Sequence, residues 1–460
     1  MVCARTTVSG LLIAREGRAR SGVAITLAAI VVAGVVAKLV VLLASPYPLG
    51  IDGYAYAVNL RALAEEHRLI YPSLPGVYTW LAPFAAVFGS IVGVKIGAAV
   101  GLSLAAVPAY LLVRRAGGAV GAALVGAVVV ATSVEARFLS TEFVKQGLGL
   151  TLALSTVVAV RAAWERRSVR NVVVAVAFAA AAALTHKTAP AIALVLLAPE
   201  LGVPLVAAIT WLAAPELVHG LFGAFDPRFS VFRALTLGHE VALAAGLALV
   251  VLVMARGRVP RVWWGVVVLA LVLALPWLDV TDGQGLAFRL RLTAWLALGP
   301  LVAIVIDRLD VRRGALAAVA LVVVARGFVA PRDGVVDVHP YLVASMDALR
   351  AHVPPGTEVA CPERQIVFAA TWATRADVRL RPAAPQFRLL PGAWMTWVSP
   401  ELKPALARLV ADPPPGFTPP PRIHPTHADA MVLLNERSFV ILAAALSPEA
   451  AQRLAAWPVR

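Results

Sequence analysis

Residues 15–56 read REGRARSGVAITLAAIVVAGVVAKLVVLLASPYPLGIDGYAY. Arg15, Arg18 and Arg20, with Arg5 before them, precede an apolar run from about Gly22 to Ala44. As a helix rising about 1.5 Å per residue, that run matches a hydrocarbon layer about 30 Å thick. It is longer than the roughly 7–15 apolar residues of a signal-peptide core, so it reads as a retained signal anchor. The chain then enters a polar loop in which Asp52 stands at a membrane surface, ahead of an amphipathic stretch.

The same alternation continues through most of the chain. Of 460 residues, 60% are hydrophobic and the mean hydropathy is +0.82, above the roughly 45–50% apolar usage of soluble domains. Apolar segments recur at about 20 residues, the length at which a helix crosses a bilayer with every backbone group satisfied. The net charge of +15 does not indicate nucleic acid, because the arginines fall in short clusters between apolar spans, as the positive-inside bias places them. Only five of the 41 basic residues are lysines: Lys38, Lys95, Lys145, Lys187 and Lys403. Cys3 and Cys361 lie far apart on opposite sides of the expected topology, which provides no disulfide framework.

Placing the arginine clusters inside predicts about eleven transmembrane helices, an all-α polytopic domain over residues 1–330. The first outer loop, 45–87, is expected to hold interfacial helices. One runs from Gly53 to Arg68, and a second piece carries Tyr78, Trp80 and Phe84, broken by Pro75 and Pro83. Later spans are expected near 88–113, 117–134, 147–163 and 171–185, a pair within 189–215, and then 241–255, 262–278, 292–307 and 314–330. Glu135 to Gln146 reads as the second outer loop. Residues 331–460 turn polar and proline-rich, with short strand-like runs at Glu358–Cys361, 378–380 and 431–434. They predict a small extracytoplasmic α/β domain. The chain thus reads as a multi-pass protein of the cytoplasmic (inner) membrane, N-terminus cytoplasmic and C-terminal domain outside.

On this topology the outer face gathers Asp52, Glu135 and Glu142 with Arg137 and Lys145, then His186 and Lys187, then Asp279, Asp282, Arg289 and Arg291. Ionisable groups at a membrane edge are costly to keep, so a one-sided gathering points to a site. A carboxylate can serve as general base toward a hydroxyl or hold a divalent cation through oxygen, and Lys and Arg can hold a phosphate. Each residue also has a plainer reading. Asp52 stands where an N-cap stands, and Glu142 with Lys145 forms an i, i+3 pair suited to a solvated turn. His186 and Lys187 end a span, where a snorkelling lysine is ordinary, and Lys38 can snorkel near the end of its own. Arg289 and Arg291 could simply open a helix at the headgroups. His424 and His427 flank a proline without a third ligand and read as loop.

The order of basic amino terminus, first span, Gly50-Ile51-Asp52-Gly53-Tyr54, interfacial helix, Pro75-Gly76-Val77-Tyr78 and Val87-Phe88-Gly89 resembles the GT-C superfamily of membrane glycosyltransferases. Protein O-mannosyltransferases, aminoarabinose transferases acting on lipid A and oligosaccharyltransferases belong to it. The resemblance covers about residues 20–190. It implies an acid in the first outer loop, Asp52, as catalytic base or metal ligand, and a second in the next outer loop, Glu142, as its partner. It further implies Lys145, His186, Lys187, Arg289, Arg291 and Tyr54 as substrate or phosphate contacts, and a divalent cation (Mg or Mn) on Asp52 and Glu142. The implied partners are the lipid bilayer, a polyprenyl-phosphate sugar donor and a protein, lipid or glycan acceptor, with no nucleic acid. The chain lacks the Asp-Glu pair or Asp-x-Asp of many relatives. The alternative from another class is a non-enzymatic transporter or cell-envelope assembly scaffold that retains the architecture.

Overall fold

A computed structural model describes residues 3–48, 52–201, 239–254, 261–274, 286–309 and short pieces up to Leu380, with side chains in the first helix from Ser21 onward. The described residues are mostly helical. Five helical stretches are long and apolar enough to cross a membrane: Ser21–Leu42, Ser90–Arg115, Val120–Thr141, Val144–Arg166 and Arg289–Arg308. This is the pattern of an all-α multi-pass membrane protein. Residues 202–215 of the pair of spans expected within 189–215, the loop that follows as far as 238, and most of the span expected at 314–330 lie outside the described residues.

α1 (Cys3–Leu42) continues as one helix into the first span. α2 (Gly53–Glu66) forms at the predicted position, but it is covered on most sides and not on one interfacial face: Tyr54, Tyr56, Ala57, Val58, Asn59, Leu60 and Ala62 are all buried. α3 (Gly76–Phe88) differs from expectation. It is a single helix through Pro83 and does not lie apart on the interface but folds back along α4 (Ser90–Ser103). Gly89, at φ +78°, makes the reversal where a side chain would be strained. Cβ atoms added at Gly93 and Gly97 would meet Ala85 at 2.5 Å and Leu81 at 2.6 Å, and the Trp80 Nε1–H donates to the Gly97 carbonyl at 2.9 Å. The spacing Gly93, Gly97, Gly101 is a stripe of small residues that permits this close antiparallel packing. At 13 residues α3 rises about 20 Å, less than a hydrocarbon layer about 30 Å thick.

α5 (Ala106–Arg115) completes the second span and α6 (Val120–Ala131) begins the next. The predicted outer loop 135–146 is not a loop. α7 (Val134–Thr141) continues from α6 after a break at Thr132-Ser133, and Glu135, Arg137 and Glu142 are all buried. Helix formation so close to a break is supported by Ser133, whose hydroxyl caps the Ala136 N–H at 3.0 Å. The solvated-turn reading of Glu142 is thereby overturned.

α8 (Val144–Arg166), α9 (Val169–Thr185) and α10 (Thr188–Leu201) pack in succession. α11 (His239–Met254), α12 (Arg261–Ala274), α13 (Leu286–Arg291) and α14 (Trp295–Arg308) follow. α14 packs on α6 where Gly126 and Gly299 face each other, and a Cβ on Gly126 would stand 2.8 Å from the Gly299 carbonyl oxygen. Two of the three predicted strands are described, β1 (Glu358–Cys361) and β2 (Asp377–Leu380), and they pair in parallel. A parallel pair needs a crossover, here residues 362–376, of which Phe368, Thr371 and Trp372 are helical. The rest of 331–460, including the run at 431–434, lies outside the described residues.

Contacts sort the turns into two ends. At one, Arg115 pairs with Glu165 at 2.5 Å and the Ala119 N–H donates to the Asp307 carboxylate at 2.8 Å. At the other lie residues 52–75 of the first loop, the α7–α8 and α9–α10 junctions and α13. Arg114, Arg115, Arg166 and Arg308 stand at the first of these ends.

Two lysines are buried between these ends. Lys38 does not snorkel: its ammonium donates to the Ala131 carbonyl at 2.6 Å and to Ser103 Oγ at 3.1 Å. Lys95 donates to the Ser45 carbonyl at 2.6 Å. Both carbonyls stand at or beyond helix ends, where intrahelical donors run out.

Candidate active site

Asp52 occupies the N-cap position of α2, and its carbonyl accepts the N–H of Ala55 at 3.0 Å and of Tyr56 at 3.3 Å. Its carboxylate makes no capping bond, so the side chain is not consumed by the role that would account for it most simply. One turn on, Tyr56 is 1% exposed. Burial pushes its phenol well above the ordinary value of 10.0, and the neighbouring Asp52 charge adds to that shift. The Asp52 charge therefore acts on a neutral Tyr56 hydroxyl.

Tyr56 is the point on which other segments converge. The Lys145 backbone N–H donates to its hydroxyl at 3.2 Å, and the Lys145 ammonium lies 5.9 Å from its ring centroid while donating to Ser73 Oγ at 3.2 Å. Tyr78 lies 6.3 Å away, ring to ring, and its hydroxyl accepts from Asn59 Nδ2 at 2.8 Å. Arg289 acts electrostatically on Tyr56, and its guanidinium sits 4.5 Å over the Phe143 ring. Gln146 fixes α13 by donating to the Arg289 carbonyl at 2.6 Å.

His186 closes another side. Its Nδ1 is 2.7 Å from Thr188 Oγ1 and accepts the Thr188 N–H at 3.3 Å, which leaves Nε2 to carry the proton. Burial pushes the ring down to about 3, with Arg289, Lys145 and Lys187 adding to the shift in that order, so it is neutral near pH 7. The four groups form one basic neighbourhood drawn from the α7–α8 junction, the α9–α10 junction and α13.

The structure therefore brings Asp52, Lys145 and Arg289 to Tyr56, and Lys145 and Arg289, with Lys187, to His186. Tyr54 is buried in α2 next to Asp52. Arg291 shares α13 with Arg289, one turn short of α14. Glu142 is 1% exposed at the end of α7, and the segment around it borders a narrow crevice. Pro48, Gly53, Val94, Lys95, Thr141 and Val144 are among its walls, so the neighbours of Asp52 and of Glu142 face the same hollow. Asp279 and Asp282 lie outside the described residues.

Glu135 is buried on α7, and Arg137 belongs to a second buried polar group. Glu240, at the start of α11, accepts from Ser133 Oγ at 2.5 Å and from the Val134 N–H at 2.9 Å, and it acts electrostatically on Lys38, as does Arg137. Sequence reasoning passed over Glu240, although an acid opening an otherwise apolar helix was a signal. It also passed over Tyr56, Asn59 and Ser73, whose roles depend on partners distant in the chain.

Among the described residues no three His, Cys, Asp or Glu side chains gather as a metal-ligand group. The carboxylate oxygens of Asp52 and Glu142 are the donor type that Mg²⁺ takes from one or two side chains while keeping its waters. No protein-family model matches the chain, and no curated protein matches it.

Proposed function

We propose that this protein is an inverting membrane glycosyltransferase that moves a sugar from a polyprenyl-phosphate donor to an acceptor hydroxyl at the outer face of the cytoplasmic membrane. The observation that carries the reading is that Asp52, Lys145 and Arg289 all act on one buried tyrosine, Tyr56, while the same Lys145 and Arg289, with Lys187, act on neutral His186. An acid for the nucleophile beside a cationic cradle for the leaving group is what displacement of a phosphate from a sugar requires.

In the reaction, the acceptor oxygen forms a bond to the anomeric carbon as the bond from that carbon to the phosphate oxygen breaks. The acceptor proton passes to Asp52, and the electron pair leaves with the polyprenyl phosphate. Lys145, Arg289 and Lys187 meet the negative charge that grows on that oxygen, and His186 offers its Nε2–H. Glu142 supports Asp52 across the crevice. Asp52 and Glu142 are the residues that would hold a divalent cation, whose charge would offset that of the donor phosphate.

Asp52→Asn keeps the size of the side chain and removes the base. In purified protein supplied with a polyprenyl-phosphate sugar, transfer should fall by about 10²–10⁴-fold with folding intact. Undiminished turnover would refute this mechanism.

A second reading, a transporter built on the same architecture, draws on the buried group of Lys38, Ser133, Arg137 and Glu240, since transporters keep ionisable residues within the bundle. Solute movement in proteoliposomes that survives Asp52→Asn but is lost in Glu240→Gln would favour it.

A further inference from the structure

The crossover between β1 and β2 touches the first loop at three points, all on one helical face. Phe368, Thr371 and Trp372 stand at i, i+3 and i+4. Phe368 meets the Tyr71 ring edge to face at 4.7 Å, Thr371 Oγ1 is 2.6 Å from Tyr71 Oη, and Trp372 lies under the Arg61 guanidinium at 4.6 Å. Arg61 also donates to the carbonyls of Thr371 at 3.1 Å and Trp372 at 2.9 Å. Phe368 and Thr371 are buried by this contact.

From Tyr71 the contacts run inward without a gap. Asn59 grips the Tyr71 backbone in both directions, donating to its carbonyl at 3.0 Å and accepting its N–H at 2.9 Å. The same Nδ2 donates to Tyr78 Oη, which Ser73 also bonds, and Ser73 receives the Lys145 ammonium. Asn59 is completely buried, so neither bond is exchanged for water.

We infer that Thr371, Tyr71 and Asn59 are positioning residues through which the β1–β2 crossover sets where the Lys145 ammonium points, so that the C-terminal segment tunes the affinity of this site for a phosphate monoester. The inference rests on the reading of Lys145 as a donor-phosphate contact. It assigns the crossover a part in donor binding rather than in acceptor binding alone.

Full-length protein in lipid nanodiscs, titrated with a polyprenyl monophosphate, tests it. Thr371→Val and Tyr71→Phe each remove one partner of the same hydrogen bond. Each should weaken binding about two- to tenfold, the worth of one such bond. The double variant should lose no more than the worse single, and Thr371→Ser should restore the wild-type value. Amide exchange over residues 69–78 should quicken in both single variants. Losses that multiply in the double variant, or faster exchange with unchanged affinity, would overturn the coupling. If the wild-type protein fails to bind polyprenyl monophosphate, it is the donor reading that fails. The positioning chain is then judged by exchange alone, where an unchanged rate over 69–78 in Thr371→Val overturns it.

Discussion

At the scale of single residues, His186 offers the clearest dependence on pH. Its folded-state value of about 3 lies below the 6.5 of an unperturbed imidazole. The unfolded chain therefore takes up a proton, as pH falls from 6.5 toward 3, that the folded chain refuses, and stability declines across that window. His186→Gln cannot titrate, so its melting temperature in detergent should fall less steeply over the same range. An equal slope in both proteins would assign the acid sensitivity elsewhere. Arg289 should prove as specific: its planar guanidinium stacks on Phe143, so Arg289→Lys keeps the charge but loses the stack. The expected result is a higher KM for the donor sugar-phosphate with kcat little changed. Asp52, Lys145, His186 and Arg289 were legible as candidates because each charge interrupts an apolar pattern and falls on one expected face. Their organiser, Tyr56, was not legible, since a tyrosine on an amphipathic helix carries no mark of what its hydroxyl will meet.

At the scale of elements, helix type and approximate bounds were written in apolar periodicity, and α2, α8 and α9 lie close to where the sequence puts them. The misreadings fall where charge was equated with exposure. Glu135, Arg137 and Glu142 suggested a loop, but they are buried on and beside a short helix, with Glu240 of α11 bonded at its start. That partner is about a hundred residues away in sequence. The stripe Gly93, Gly97, Gly101 was visible in principle as a pattern of small residues, but what packs on it is set by the turn at Gly89. The contact of α6 with α14 gives an element-level prediction. Gly126→Leu places carbon against the Gly299 backbone oxygen, which cannot move aside as a side-chain tip would. Such overpacking costs about 1–3 kcal/mol and should appear as a lower melting temperature. A variant as stable as wild type would show that the two helices separate freely.

At the scale of the whole molecule, the contacts sort the turns into two ends, and the proposal assigns one to the cytoplasm. A cysteine-free protein carrying Arg68→Cys, at a position that is exposed, should react with a membrane-impermeant maleimide on intact cells. Arg166→Cys, also exposed but at the opposite end, should react only after permeabilisation. The reverse result would invert the topology and move Asp52 away from any extracytoplasmic acceptor. The breaks between helices have one further consequence. Where a helix or turn stops, Lys38 and Lys95 each plug an orphaned carbonyl with a single slim ammonium. A chain with only five lysines among its 41 basic residues keeps two of them at these sockets, where a broad, flat cation would have to pry the helices apart to enter.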